Sequence, residues 1–153
     1  MTRAIQSIDE LRTLVGQEIG VSDWQTISQE QINQFANVTN DPQWIHLDQE
    51  RASRESPYGT TIAHGFLTLS LLPGMLSETV QMQFPAKMRV NYGLNRLRFT
   101  GAVPAGSRVR ARFALNSLKD LEGAVEMIWN VTVDVEGREK PALVAEWIGR
   151  TYY

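Results

Sequence analysis

Residues 62–79 read IAHGFLTLSLLPGMLSET, and this stretch decides the fold. Apolar side chains lie nearly all round a helix drawn through it, so other parts of the chain must enclose most of its sides. Pro73 removes a backbone donor within the helix, and we expect a kink or a break there. Because His64, Ser70 and Glu78 interrupt the run, the pattern indicates a buried helix of a soluble protein rather than a membrane span.

The segments that could enclose this helix follow it in the chain. From Lys87 onward apolar and polar residues alternate, which is the period of half-buried β-strands. Turn residues separate the alternating segments at Gly93 and in the sequences VPAGS, KDLEG and EGREKP. The pattern predicts an antiparallel meander with one apolar face, and such a sheet encloses an apolar helix best by wrapping around it. The residues expected inside include Phe66, Leu69, Met88, Val90, Tyr92, Leu97, Phe99, Trp129 and Trp147.

Shorter elements precede the central helix. Ser7 and Ser28 each begin a capping-box signature, which predicts one short helix ending at Gly16 and a second ending before Asp41. Residues 23–27 (DWQTI) predict a short strand. Asp48 is expected to cap a third short helix over QERASRE.

The composition indicates one domain spanning residues 1–153, long enough to bury a core. Interspersed charges with a net charge of −2 give no reason to expect nucleic-acid or membrane-surface partners. Cysteine is absent, which excludes disulfides and thiolate metal sites, and the N-terminus has no signal-peptide pattern. We therefore expect a cytoplasmic protein.

Acid-base chemistry is concentrated just before the central helix. In FANVTNDPQWIHLD, residues 35–48, His46 follows Asp41 by five residues across an Asp-Pro turn. His64 and Gly65 fall in the first turn of the expected helix, where unpaired N–H groups and the helix dipole can meet negative charge. A carboxylate and an imidazole that face such a donor can perform chemistry beside a carbonyl group.

Structural roles compete with these functional ones. Asp41 before Pro42 is also typical of a helix end, and a histidine in the setting of His46 is ordinarily half-buried with one hydrogen bond. His64 is interpreted as ordering the start of the helix. Tyr58-Gly59 is interpreted mainly as a turn, and a lid over the substrate is the alternative. A zinc site from His46, Asp48 and His64 lacks the spacing of a metal motif, so no metal is expected.

The sequences FANVTNDPQWIHLD, YGTTIAHGF, NYGLNRLRF and AVPAGSRVR together resemble the MaoC-like dehydratases, and within them the NodN-like subgroup. The resemblance extends over residues 17–149. It implies an α+β hot dog fold, in which a curved antiparallel sheet wraps around a long central helix, and it implies a homodimer. It also implies (R)-specific hydration of trans-2-enoyl thioesters, or the reverse dehydration, with coenzyme A or acyl carrier protein as the substrate's carrier and no cofactor.

The resemblance implies specific roles for residues of this chain. Asp41 and His46 match the catalytic dyad, and Gly65 matches the backbone donor to the thioester oxygen. Gln43-Trp44 stand where such hydratases usually have Asn-Pro, which bears on the preference for the acyl chain. The substrate-binding candidates are Gln43, Tyr58, Gly59, His64 and Phe66.

Two other functions compete with hydration. One is an acyl thioesterase on the same fold with Asp41 as base or nucleophile, and the other is a non-catalytic protein that binds acyl thioesters. Several arginines could bind phosphates of the carrier, although outward-facing strand charges that discourage edge pairing are the commoner reason for them. These arginines are Arg89, Arg96, Arg98, Arg108 and Arg110.

Overall fold

A computed structural model describes residues 2–153. Six helices and eight strands make up the fold. The helices are α1 (Ile8–Thr13), α2 (Gln29–Thr39), α3 (Trp44–Leu47), α4 (Gln49–Glu55), α5 (Gly65–Ser70) and α6 (Leu72–Thr79). The strands are β1 (Arg3–Ile5), β2 (Glu18–Val21), β3 (Gln25–Thr26), β4 (Val80–Met82), β5 (Met88–Phe99), β6 (Arg108–Leu121), β7 (Ala124–Val135) and β8 (Leu143–Tyr152).

The central helix is divided into α5 and α6, which meet at Leu71. Pro73 lies in the first turn of α6, where its missing N–H has no intrahelical acceptor to lose, so the expected break occurs ahead of it. The expected start at Ile62 is wrong. Ile62 forms an antiparallel bridge with Pro104, and the next residue, Ala63, donates its N–H to Val103 O at 2.8 Å. This pairing keeps the backbone extended until Gly65.

A six-stranded antiparallel sheet follows the order β2-β6-β7-β8-β5, and β3 also pairs with β6. The expected meander is confirmed for β6, β7 and β8. The strand β5 departs from it, because β5 pairs with β8 at the edge of the sheet and not with β6. Gly93 is no turn; it lies within β5, next to a shift in register. A short parallel pair, β1 with β4, was not anticipated.

The core lies between the divided central helix and the sheet. Trp129, Phe113, Leu72 and Met75 are among its largest fully buried side chains, and Trp147 is also buried, as expected. The alternation of buried and more exposed residues holds over residues 108–115 of β6 and 125–135 of β7 but fails in β5, where Met88 and Tyr92 are exposed. Phe66 was also expected inside and is 63% exposed.

The N-terminal elements follow their local signals. The side chains of Ser7, Ser28 and Asp48 each accept a hydrogen bond from a backbone N–H in the first turn of α1, α2 and α4, as predicted. The helix α1 ends at Thr13, three residues earlier than expected, and the strand over 23–27 shrinks to Gln25–Thr26. The strand β2 carries no alternation long enough to have been found.

Gly65 allows β5 to approach the start of α5 closely. A Cβ atom built on Gly65 would lie 2.8 Å from atoms of the Phe99 ring, a separation that real Cβ contacts essentially never show. The close atoms include Cγ, the ring atom bonded to Cβ, so the whole side chain of Phe99 would have to move. Gly74, within α6, has no atom within 4 Å of its Cβ position. The two glycines therefore differ in what a methyl group would meet.

We expect Gly65→Ala to lower the free energy of unfolding by about 1–3 kcal/mol, the usual cost of forcing extra volume into a packed site. The matched control Gly74→Ala should raise it by about 0.5–1 kcal/mol, because alanine favours a helix interior. Denaturant titration measures both. In a Phe99→Ala background the penalty of Gly65→Ala should largely vanish; a penalty that persists there would contradict the proposed clash.

Candidate functional site

The end of α2 delivers Asp41. Asn40 ends the helix in the left-handed conformation, at φ 54°, and Asp41 N–H donates to Ala36 O at 3.0 Å. Pro42 then turns the chain into α3, a single helical turn that carries His46. The local signals of a helix end and of catalysis are compatible here, because Asp41 uses its backbone for the first and leaves its carboxylate available.

His46 is 7% exposed and is held by a backbone acceptor. Its Nδ1 lies 2.7 Å from Ile62 O, and because a carbonyl oxygen only accepts, Nδ1 carries the proton and Nε2 keeps its lone pair. Burial lowers the pKa of His46 below its ordinary value of 6.5; the bond to Ile62 O and the charge of Asp41 oppose this, and His64 adds to it. The imidazole is therefore neutral at pH 7 and can act as a base.

His64 joins the other two groups. Its ring stacks on that of His46 with centroids 3.7 Å apart and planes inclined by 24°. Its Nε2 lies 3.1 Å from Asp41 O and 3.9 Å from Asp41 Oδ2. His64 is 3% exposed, whereas the side chain of Asp41 is 55% exposed. One carboxylate thus meets two buried imidazoles at the surface of the domain.

Gly65 begins α5, so its N–H has no intrahelical acceptor, and none of the hydrogen bonds within residues 2–153 uses it. Gly65 and His46 line one cavity of about 310 Å³. Tyr58, Phe99 and Thr100 are exposed residues of its wall and mark its mouth. The remaining wall residues are Ile62, Ala63, Thr68, Gly101, Ala102, Val103 and Ala142. A base and a free backbone donor therefore share one cavity.

The structure places the sequence-predicted residues at different distances from this cavity. His46, Tyr58 and Gly65 line it, and Asp41 has a carboxylate oxygen within 4.8 Å of the donor atoms of both histidines. His64 lies behind His46. Of the residues predicted from the sequence, the cavity wall does not include Asp41, Gln43, Gly59, His64 or Phe66.

Sequence reasoning missed one wall of the cavity. Residues 99–103 reach it through the bridge between Ile62 and Pro104, a long-range pairing with no local signal. Thr68 could have been found, because it lies three residues after Gly65 and so on the same helix face.

Among the histidine, aspartate and glutamate side chains of residues 2–153, one set of three has donor atoms close enough to hold a metal ion together. These residues are Asp41, His46 and His64. One nitrogen of each ring already faces a carbonyl oxygen. Imidazole lone pairs lie in the ring plane, so two stacked rings do not direct both remaining lone pairs at one ion. Asp48 caps α4 instead of joining the group. The arrangement suits proton transfer better than ion binding.

The arginines considered for carrier phosphates divide into two groups. Arg108 and Arg110 form ion pairs with Glu136 and Asp134, and the guanidinium group of Arg89 donates to backbone carbonyls. For Arg96 and Arg98 no carboxylate of residues 2–153 lies within 4 Å. The same holds for Arg89, so three arginines, all on β5, keep a charge that no carboxylate of residues 2–153 neutralises.

No helix within residues 2–153 combines the length and the apolar character that crossing a membrane requires.

The chain is similar to known proteins. Residues 10–137 match the family described as MaoC like domain. The chain is 49% identical over 149 residues to 3-hydroxyacyl-thioester dehydratase Z of Mycobacterium tuberculosis, covering 97% of each chain. It is 47% identical over 143 residues to Nodulation protein N of Rhizobium meliloti, covering 93% of this chain and 89% of the relative.

Solved structures show the same fold. The monoamine oxidase regulatory protein from Archaeoglobus fulgidus superposes with a TM-score of 0.81 at 23% identity, covering 99% of this chain and 97% of that one. R-hydratase PhaJ1 from Pseudomonas aeruginosa superposes with a TM-score of 0.67 at 24% identity, covering 88% and 79%. The hot dog arrangement is thereby confirmed. On the family match and the two sequence relatives, the chain belongs to the MaoC-like domain family.

Proposed function

We propose that this protein catalyses the (R)-specific hydration of trans-2-enoyl thioesters to (3R)-3-hydroxyacyl thioesters, and the reverse dehydration. The observation that carries the proposal is a cavity lined by His46 and Gly65, with a carboxylate oxygen of Asp41 within 4.8 Å of a ring nitrogen of His46. The names of the relatives, a 3-hydroxyacyl-thioester dehydratase and an R-hydratase, support it.

In the proposed hydration, a water molecule is held between Asp41 and His46. The water oxygen bonds to the β-carbon as these groups take up its proton, and the π electrons move onto the thioester oxygen as an enolate. The Gly65 N–H donates to that oxygen, an interaction worth about 3–4 kcal/mol where such donors have been removed. A proton then returns to the α-carbon on the same face. Dehydration follows these steps in reverse.

The proposed reaction involves no net oxidation or reduction, so we expect no redox cofactor. The neutral imidazole of His46 can take up a proton from water directly, so we expect no metal ion. Coenzyme A or acyl carrier protein enters only as the carrier of the acyl group. Cytoplasmic thioesters of this kind would be the substrates.

The proposed enzyme acts as a homodimer joined at β5. One edge of β5 pairs with β8, and within residues 2–153 no strand pairs with the other edge. Met88, Tyr92 and Leu94 expose apolar surface on this strand. An open edge with apolar side chains is a template for a second strand, and a twofold axis would place two copies of β5 side by side.

Asp41→Asn should lower kcat by roughly 10²- to 10⁴-fold, because it removes a positioned proton carrier while keeping the side-chain shape. His46→Asn should have a similar effect, because it removes the base. Its amide can still donate to Ile62 O, which should preserve the local fold. Loss of enoyl absorbance from a trans-2-enoyl-CoA measures the rate, and thermal melting checks the fold. Wild-type rates in both variants would refute the dyad, and release of free thiol by the wild type would indicate a thioesterase.

The pH profile of kcat/KM should reflect the lowered pKa of His46. The proposed base works only when its imidazole is neutral, so on the acid side the half-maximal rate should fall below pH 6.5. Rates measured in constant-ionic-strength buffers from pH 4 to 8 test this. A half-maximal rate reached above pH 6.5 would contradict a neutral buried base.

Leu94→Lys should shift the protein from dimer to monomer, because a charged side chain on an open strand edge discourages pairing. Val38→Lys is the matched control, since Val38 is 81% exposed on α2, away from β5. Light scattering coupled to gel filtration gives the mass of each variant. A monomeric wild type, or a dimer that is unaffected by Leu94→Lys, would count against this interface.

A further inference from the structure

We propose that His64 is a positioning residue, which holds the backbone of Asp41 and the ring of His46 in register through a ring that carries its proton on Nε2. This inference rests on the proposed function for what the positioning achieves. It assigns His64 no contact with the substrate, and it thereby replaces the substrate-binding role expected from the sequence.

The hydrogen bond fixes the tautomer. Asp41 O lies 3.1 Å from His64 Nε2, and a carbonyl oxygen can only accept, so Nε2 carries the proton. The other nitrogen, Nδ1, is buried and has no hydrogen-bond partner among residues 2–153. A proton on Nδ1 would bury an N–H group with no acceptor, which is unfavourable. The geometry therefore favours the tautomer that carries its proton on Nε2.

Packing fixes the plane of the ring. One face lies against His46 at 3.7 Å, and the ring of Phe35 lies on the side chain as well, at 5.0 Å and a tilt of 55°. The hydrogen bond from His46 Nδ1 to Ile62 O constrains one edge of the His46 ring, and the stacked ring of His64 constrains its face. Together the two contacts set the direction of the Nε2 lone pair of His46.

The position of His64 in the chain adds a third connection. His64 directly precedes Gly65, so the peptide bond between them supplies the N–H that the proposed reaction uses. A shift of His64 that moves both its ring and its backbone would therefore disturb Asp41, the base His46 and the oxyanion donor Gly65 N–H together. Since a misplacement of about 1 Å can cost roughly 10²-fold in rate, such a residue can govern kcat without meeting the substrate.

Two variants separate the hydrogen bond from the stacking. His64→Phe keeps a flat ring against His46 but has no donor for Asp41 O; we expect kcat to fall about 10²-fold with KM within a few-fold of the wild type. His64→Gln keeps an N–H donor at a similar reach and should recover at least about tenfold of that loss. An unchanged kcat in His64→Phe, no recovery in His64→Gln, or a rise in KM in place of the fall in kcat, would overturn the proposal.

Nitrogen-15 NMR of the histidine rings tests the tautomer in the wild-type protein, whether or not the variants fold. We expect His64 to show a protonated Nε2 and an unprotonated Nδ1 at pH 7. The opposite tautomer, or a doubly protonated ring, would overturn the inference even in an active enzyme. Failure of the proposed function would show itself differently, as a wild-type protein that hydrates no enoyl thioester.

Discussion

The extended segment from Thr61 to His64 is the constraint on which the rest of the site depends. Its backbone pairs with residues 103–105: Ala63 N–H donates to Val103 O at 2.8 Å, and Ala105 N–H donates to Thr61 O at 2.9 Å. On its other side, Ile62 N–H donates to Ile45 O at 3.1 Å. Four successive residues then each place one part of the site. Ile62 O binds His46 Nδ1, and Ala63 pairs with Val103 of the cavity wall. The ring of His64 contacts Asp41 O, and Gly65 is the first residue of α5.

This pairing explains why the site could be predicted only in part. The Asp41–His46 spacing and the glycine at a helix start are local patterns, and in the structure His46 lies near Asp41 and shares a cavity with Gly65. The stacking of two histidines and the wall at residues 99–103 arise from contacts between segments remote in sequence. No local spacing encodes such contacts, so they could not be read from the sequence.

The fold shows the same division. Caps at Ser7, Ser28 and Asp48 depend on neighbours three residues away and were predicted, as were the strands β6 to β8. The place of β5 in the sheet was not predicted, because alternation indicates a strand without indicating its neighbours. Placed at the edge of the sheet, β5 leaves Met88 and Tyr92 exposed, and its Gly93 continues the strand where a turn was expected.

The break in the central helix at Leu71 places its two halves against different cavities. The dipole of a helix acts mainly within its first turn, so the six residues of α5 supply nearly all of the field at Gly65. The helix α6 contributes instead to a second cavity of about 390 Å³, where Leu76 lies near Trp129 and Trp147. Mutations in α6 can therefore reshape that distant apolar space while the electrostatics of the reacting end stay constant. Such modularity would let a lineage diversify along one half of the helix and conserve the other.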